Sequence, residues 1–127
     1  MIRVAIADDH PDIRLALRLL LSQAENVELV CEARSGREAV ECVKDHQPDV
    51  LMMAVGMPGL DGFAAAQQIA DLPVATRVIL ISVDEDKAVA EQAAAVGARG
   101  FVAKDKLAGS MLAAIETVYR GKPYFLD

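Results

Sequence analysis

Two adjacent carboxylates, Asp8 and Asp9, close the apolar stretch IRVAIA (2–7). A hydroxyl, Ser82, closes RVILIS (77–82), and an ammonium, Lys104, closes GFVAK (100–104). Paired carboxylates with backbone carbonyls and water suit Mg2+, a hard cation that takes oxygen ligands and keeps several of its waters. A lysine and a hydroxyl suit a tetrahedral anion such as a phosphoryl group. Taken singly, each residue has an ordinary explanation: a helix-capping aspartate, a turn serine, a solvated lysine. They become a site only if the fold brings them to one place. A fourth stretch, PDVLMMAVGMPG (48–59), ends its apolar run at Ala54, where a functional side chain would be expected.

The elements that must do the positioning alternate along the chain. Strands are expected at 2–7, 27–33, 49–55, 77–82 and 100–104, where short apolar runs are bounded by polar or turn residues. Helices are expected at 10–24, 35–46, 60–70, 84–97 and 106–121. The first has Asp9 or His10 as N-cap and Pro11 in its first turn, and Ile13, Ala16, Leu17, Leu20 and Leu21 form its core stripe. The second opens on a capping box, Ser35 with Glu38, and turns Ala39, Val40 and Val43 inward. The third buries Phe63, Ala66 and either Ile69 or Ala70. Gly97 and Gly121 close the last two helices. Regular alternation implies a mainly parallel sheet with right-handed crossovers and helices on both faces. In such an open sheet, ligands bind at the carboxyl ends of the strands. Asp8, Asp9, Ala54, Ser82 and Lys104 all end strands, so they should converge on that edge. The second strand ends near Ala33 and adds nothing polar.

Composition narrows the alternatives. The chain has 127 residues, enough for one domain, and 54% of them are hydrophobic, enough for a core without metals or disulfides. A net charge of −6 argues against nucleic acid or an anionic membrane as a direct partner. The N-terminus turns acidic too soon for a signal peptide, and no apolar run reaches the length of a membrane span. Cys31 and Cys42 lack a CxxC spacing and are expected to be reduced core thiols. His10 and His46 lack metal-ligand spacing. No glycine-rich phosphate loop follows the first strand, and no Ser/His/Asp or Cys/His arrangement is positioned for nucleophilic catalysis, so an enzyme is not expected.

The motifs ADDH, PDVLMMAVGMPGLDG, VILIS and GARGFVAKD together resemble those of a response-regulator receiver domain, over essentially the whole chain. GARGFVAKD and the tail YRGKPYFLD look most like the NarL/LuxR-type subfamily. The resemblance implies a flavodoxin-like, doubly wound (βα)5 fold over residues 1–121, with a five-stranded parallel sheet in order 2-1-3-4-5. Residues 122–127 would begin a linker to a helix-turn-helix domain absent from this chain, and any DNA binding would run through that domain. It also implies a cytoplasmic transcription regulator that takes a phosphoryl group from a sensor histidine kinase onto an aspartate ending the third strand. Mg2+ would be held by Asp8 and Asp9, with Asp9 the direct ligand, by that aspartate, and by the backbone carbonyl of Gly56. Ser82 matches the hydroxyl that moves to meet the phosphoryl group, Phe101 the aromatic switch residue, and Lys104 the lysine that pairs with phosphoryl oxygens.

The departure is at Ala54, which falls on the second aspartate of the P-D-x-x-x-x-D-x-x-M-P pattern. A methyl group cannot form an acyl phosphate or ligate a metal, so phosphotransfer should fail and Mg2+ binding should weaken. Two origins fit: an engineered Asp→Ala variant, or a naturally degenerate pseudo-receiver acting as a phosphate-independent protein-interaction module. Retention of Asp8, Asp9, Ser82 and Lys104 favours the first. Leu15 and Leu19 lie opposite the core stripe of the first helix. With Met111, Leu112 and Tyr119 of the last helix they form the expected homodimer surface.

Overall fold

The structure is a computed structural model that describes residues 1–125. Its elements are β1 (Ile2–Ala7), α1 (Pro11–Ser22), β2 (Val27–Ala33), α2 (Gly36–His46), β3 (Val50–Ala54), α3 (Gly62–Ala70), β4 (Arg77–Ser82), α4 (Lys87–Ala95), β5 (Gly100–Ala103), a 3-10 turn (Lys104–Lys106), α5 (Leu107–Tyr119) and β6 (Tyr124–Phe125). The strands form one sheet in the order β2-β1-β3-β4-β5-β6, with every pairing parallel.

The order 2-1-3-4-5 is as expected, but the count of five strands is corrected to six among the described residues. Gly121 (φ 91) ends α5 in the left-handed region and turns the chain back toward the sheet. Tyr124 then donates its backbone N–H to the Arg99 carbonyl (2.9 Å), and Phe125 pairs with Phe101. Their side chains alternate, Tyr124 packing on one face of the sheet and Phe125 on the other. The expected linker, 122–127, therefore includes two residues, Tyr124 and Phe125, docked on the sheet. Its last two, Leu126 and Asp127, lie outside the described residues.

β3 is buried throughout, and β1 and β4 nearly so, as strands covered on both faces must be. One core layer lies under α2, α3 and α4, the other under α1 and α5. The expected stripes hold with shifts. In α1 Leu17 and Leu21 are buried, Ile13 and Leu20 are half-buried, and Ala16 is exposed, because the helix is rolled toward the Arg14 side. In α3 Ile69 faces in and Ala70 faces out. In α5 the buried stripe is Met111, Ala114, Ile115 and Val118. Met111 is only 1% exposed, so it belongs to the core and is withdrawn from the expected dimer surface.

Asp49 sets the alignment of the central strands. Its Oδ2 accepts the Arg3 backbone N–H (2.8 Å), and its own N–H donates to the Arg3 carbonyl (2.8 Å). Its carbonyl accepts the Arg77 N–H (3.0 Å), so one residue ties together the amino ends of β1, β3 and β4. At the head of α2, Ser35 Oγ accepts the Glu38 N–H (3.2 Å), as expected of a capping box. The Glu38 carboxylate takes the Arg34 N–H (3.0 Å), which holds its carboxyl below the usual range.

The expectation of free thiols is also corrected. Cys31 on β2 and Cys42 on α2 are joined in a disulfide, with Cα atoms 6.3 Å apart. Spacing along the chain could not reveal this, because the contact is made by a strand and the helix that folds back over it.

Asp49→Ala should destabilise the fold by about 1.5–3 kcal/mol, since it removes a charge-assisted bond and strands the Arg3 N–H. Urea denaturation measures this. A variant within about 0.5 kcal/mol of the parent would mean that the sheet register does not lean on Asp49.

Candidate functional site

The register brings the carboxyl ends of the central strands level. Ala7 pairs with Met53, Ala54 with Ile81, and Ser82 with Ala103. Asp8 directly follows β1, Ala54 and Ser82 are the last residues of β3 and β4, and Lys104 is the first residue past β5. Lys104 thus opens the 3-10 turn instead of ending the strand. It is half-buried and makes no ion pair among the described residues. β2 ends at buried Ala33.

Asp8 is fully buried. Its backbone N–H donates to the Ala33 carbonyl (3.1 Å), and its Oδ1 accepts the His10 backbone N–H (2.9 Å). The His10 ring then folds back over both acids, placing Nδ1 3.2 Å from an oxygen of Asp8 and 3.2 Å from an oxygen of Asp9. His10 is the N-cap of α1, although its side chain makes no cap bond. Its spacing along the chain gives no metal-ligand pattern. In the fold, His10 joins Asp8 and Asp9 in a cluster whose ligand atoms all lie within 4.8 Å of one another. Arg14 is a second residue that no motif marked. Its Nη1 donates to the Asp8 carbonyl (2.7 Å), one turn into α1.

Asp8 Oδ2 is buried and has no partner among the described residues, and Asp9 Oδ1 is buried with only the His10 ring nitrogen beside it, 3.2 Å away. An ionised oxygen shut away from water without a donor is costly, and a cation is the usual remedy. The donor set is hard oxygen, which fits Mg2+.

Ala54 is 5% exposed. The loop that follows it is held close: Val55 donates to the Ile81 carbonyl (2.8 Å), and Gly62 donates to the Val55 carbonyl (2.7 Å). A Cβ on Gly62 would collide with the Ala54 carbonyl, so only glycine lets α3 start this near the strand end. Gly56 lies on the exposed part of this loop. Ser82 is buried, and its Oγ accepts the Asp84 N–H (3.1 Å). Phe101 is 3% exposed, its ring inside the core layer under α2, α3 and α4. Glu85 and Lys106 form a 2.7 Å ion pair that ties together the loops after β4 and β5, and Glu85 raises the Lys106 pKa.

The edge can therefore offer carboxylates to a hard cation, and an ammonium and a hydroxyl to an anion. It has no nucleophile at position 54. Among the described residues, no helix is long and apolar enough to cross a membrane.

The family model for the response regulator receiver domain matches residues 4–116. The chain is 36% identical over 121 residues to the "Probable transcriptional regulatory protein NarL" of Mycobacterium tuberculosis, covering 95% of this chain and 56% of that protein. It is 32% identical over 123 residues to the "Oxygen regulatory protein NreC" of Staphylococcus haemolyticus, covering 96% of this chain and 57% of that protein. The chain thus spans little more than half the length of these curated relatives. Its fold superposes on the signal receiver domain of M. tuberculosis NarL with a TM-score of 0.91 at 36% identity, covering 95% of this chain and 98% of that one.

Placing a third carboxylate at position 54 should add repulsion at an edge that already buries Asp8 with one oxygen unpartnered. Ala54→Asp should therefore lower the Tm in Mg2+-free buffer and gain a Mg2+-dependent rise larger than the parent's. Calorimetry with and without Mg2+ checks this. Equal Mg2+ responses of the two chains would refute it.

Proposed function

The chain belongs to the response regulator receiver domain family, of which NarL/LuxR-type regulators are close relatives, and from that premise we propose that it is a receiver whose phosphoryl-acceptor position holds Ala54. The observation that carries this reading is Ala54 itself. It ends β3 level with Asp8, Ser82 and Lys104, where the receiver pattern calls for an aspartate. The carboxyl that would attack phosphorus and become an acyl phosphate is replaced by a methyl group, so this chain cannot be phosphorylated there.

Asp8, Asp9 and the Gly56 carbonyl are the residues that would hold Mg2+, which supplies charge neutralisation at phosphoryl oxygens when bound. The buried Asp8 Oδ2, which has no partner among the described residues, supports that assignment. The loss of a carboxylate at 54 weakens the site. Ser82 is the hydroxyl, Lys104 the counter-ion, and Phe101 the aromatic whose position would report the state of Ser82. Without an acceptor, the two-state coupling has nothing to bias it, and the chain rests in its inactive arrangement.

The cognate partner is a sensor histidine kinase, and the domain is regulatory and not an enzyme. Two relatives are named as regulatory proteins, one of them transcriptional. We extend this to the longer protein: DNA binding by a helix-turn-helix effector joined through the segment after α5, in the cytoplasm. The acidic charge of the receiver agrees with DNA contact residing elsewhere. Leu15 (48% exposed), Leu19 (57%) and Tyr119 (42%), with half-buried Leu112, form the proposed homodimer surface.

Two measurements test the reading. Treated with acetyl phosphate and Mg2+, the parent should keep its intact mass, while Ala54→Asp should gain one phosphoryl group. A phosphorylated aspartate in the parent would overturn the account of Ala54. In sedimentation, Leu15→Arg should weaken self-association, whereas an unchanged mass relative to the parent would remove the α1 surface from the dimer.

A further inference from the structure

Apart from the acidic pair, three softer groups meet on the edge of the sheet. The sulfur atoms of Cys31 and Cys42 and a ring nitrogen of His46 all lie within 4.8 Å of one another. Their convergence depends on two local features. The first is an irregularity in β2. Val4 pairs with Leu29, but Ala5 pairs with Cys31, so Val30 is an extra residue in the register. Before it, Val27 and Leu29 pack in the layer under α1 and α5. After it, Cys31 and Ala33 pack in the layer under α2, α3 and α4. In a regular strand, Cys31 would share the face of Leu29 and point away from α2. The second is the four-residue spacing of Cys42 and His46, which stacks them on one face of α2, one turn apart.

The burial is graded, from Cys42 (4% exposed) through half-buried Cys31 to exposed His46. The cluster therefore opens to solvent on the His46 side. His46 lies in the last turn of α2, where the negative end of the helix dipole favours a cation. Two sulfurs and an imidazole make a donor set for a borderline-soft cation, not for the oxygen-seeking Mg2+. A tetrahedral ion with metal–sulfur bonds of about 2.3 Å needs sulfurs roughly 3.8 Å apart. Side-chain rotation can reach that from a Cα separation of 6.3 Å.

We propose that, when Cys31 and Cys42 are reduced, they and His46 form a thiolate–imidazole site for a Zn2+-class cation, with water as the fourth ligand. Each thiol releases its proton to solvent as its sulfur–metal bond forms, and the neutral imidazole donates a ring-nitrogen lone pair. The disulfide closes the same site, because its sulfurs have no thiolate to give. A bound metal and the disulfide are thus alternative cross-links between β2 and α2. The site shares no residue with the carboxyl edge, so it stands whatever the role of Ala54.

The test uses the whole chain, reduced by a trialkylphosphine, which gives two electrons to the disulfide while water supplies the oxygen of the phosphine oxide and the two thiol protons. The metal-free chain is titrated with Co2+ and then with Zn2+. One equivalent of Co2+ should produce sulfur-to-cobalt charge-transfer absorption with tetrahedral visible bands, and Zn2+ should bleach both. Co2+ held only by Asp8 and Asp9 would give no sulfur band. His46→Ala is an exposed change that should leave the circular dichroism intact and weaken Co2+ binding by ~10-fold or more. The unreduced chain and the Cys31→Ser/Cys42→Ser double variant should show no sulfur band. The proposal is overturned if the reduced parent lacks that band, or if His46→Ala binds Co2+ as tightly as the parent.

Discussion

The hydrogen bonds around Asp49 carry a disproportionate share of the design. They join the amino ends of β1, β3 and β4, yet their consequence is felt at the opposite edge. Strand register is a discrete quantity. A slip of one residue would turn every side chain to the other face and bury what should be exposed. With the amino ends tied, Asp8, Ala54 and Ser82 arrive level at the carboxyl ends. The Pro-Asp at positions 48–49 is therefore structural, although it sits in the same motif as Ala54. Its aspartate aligns the sheet on which the site depends.

At that edge the electrostatics are unfinished. Asp8 is wholly buried, and its Oδ2 has no partner among the described residues. Arg14 satisfies the backbone carbonyl of Asp8 and leaves its carboxylate to other partners. The His10 ring approaches both acids from the solvent side. A site arranged this way favours a cation on physical grounds alone. On the function proposed above, the methyl group of Ala54 removes the acceptor chemistry and leaves one carboxylate fewer at this edge, so stability and phosphoryl transfer would pull position 54 in opposite directions.

The two edges of the sheet are handled differently. Beside β5, the chain returns as β6, so Phe125 and Tyr124 cover what would be an open ladder. At the other end β2 remains the edge strand, tied to α2 by Cys31 and Cys42. The extra residue in its register makes that tie possible, turning Cys31 toward the helix.

From the sequence alone, periodicity determined the alternation of strands and helices, and hence a parallel sheet whose carboxyl edge gathers Asp8, Ala54, Ser82 and Lys104. The burial of Val4, Ile6, Leu51, Met53 and Leu80 is written in short apolar runs that only a doubly covered strand can bury. Ala54 and Ser82 were legible as the last residues of their strands for the same reason, and Asp8 and Lys104 fall one position past theirs. Met111 was misread as surface, although its i, i+3, i+4, i+7 spacing with Ala114, Ile115 and Val118 marked it as core. The remaining features needed three dimensions. The Cys31–Cys42–His46 cluster depends on a register irregularity and a crossover, the fold of His10 onto Asp8 and Asp9 on one tight turn, and β6 on the chain's direction after Gly121. Local pattern records which face a residue prefers. Only packing decides which distant residues share that face, because proximity across a sheet is fixed by register and not by spacing along the chain.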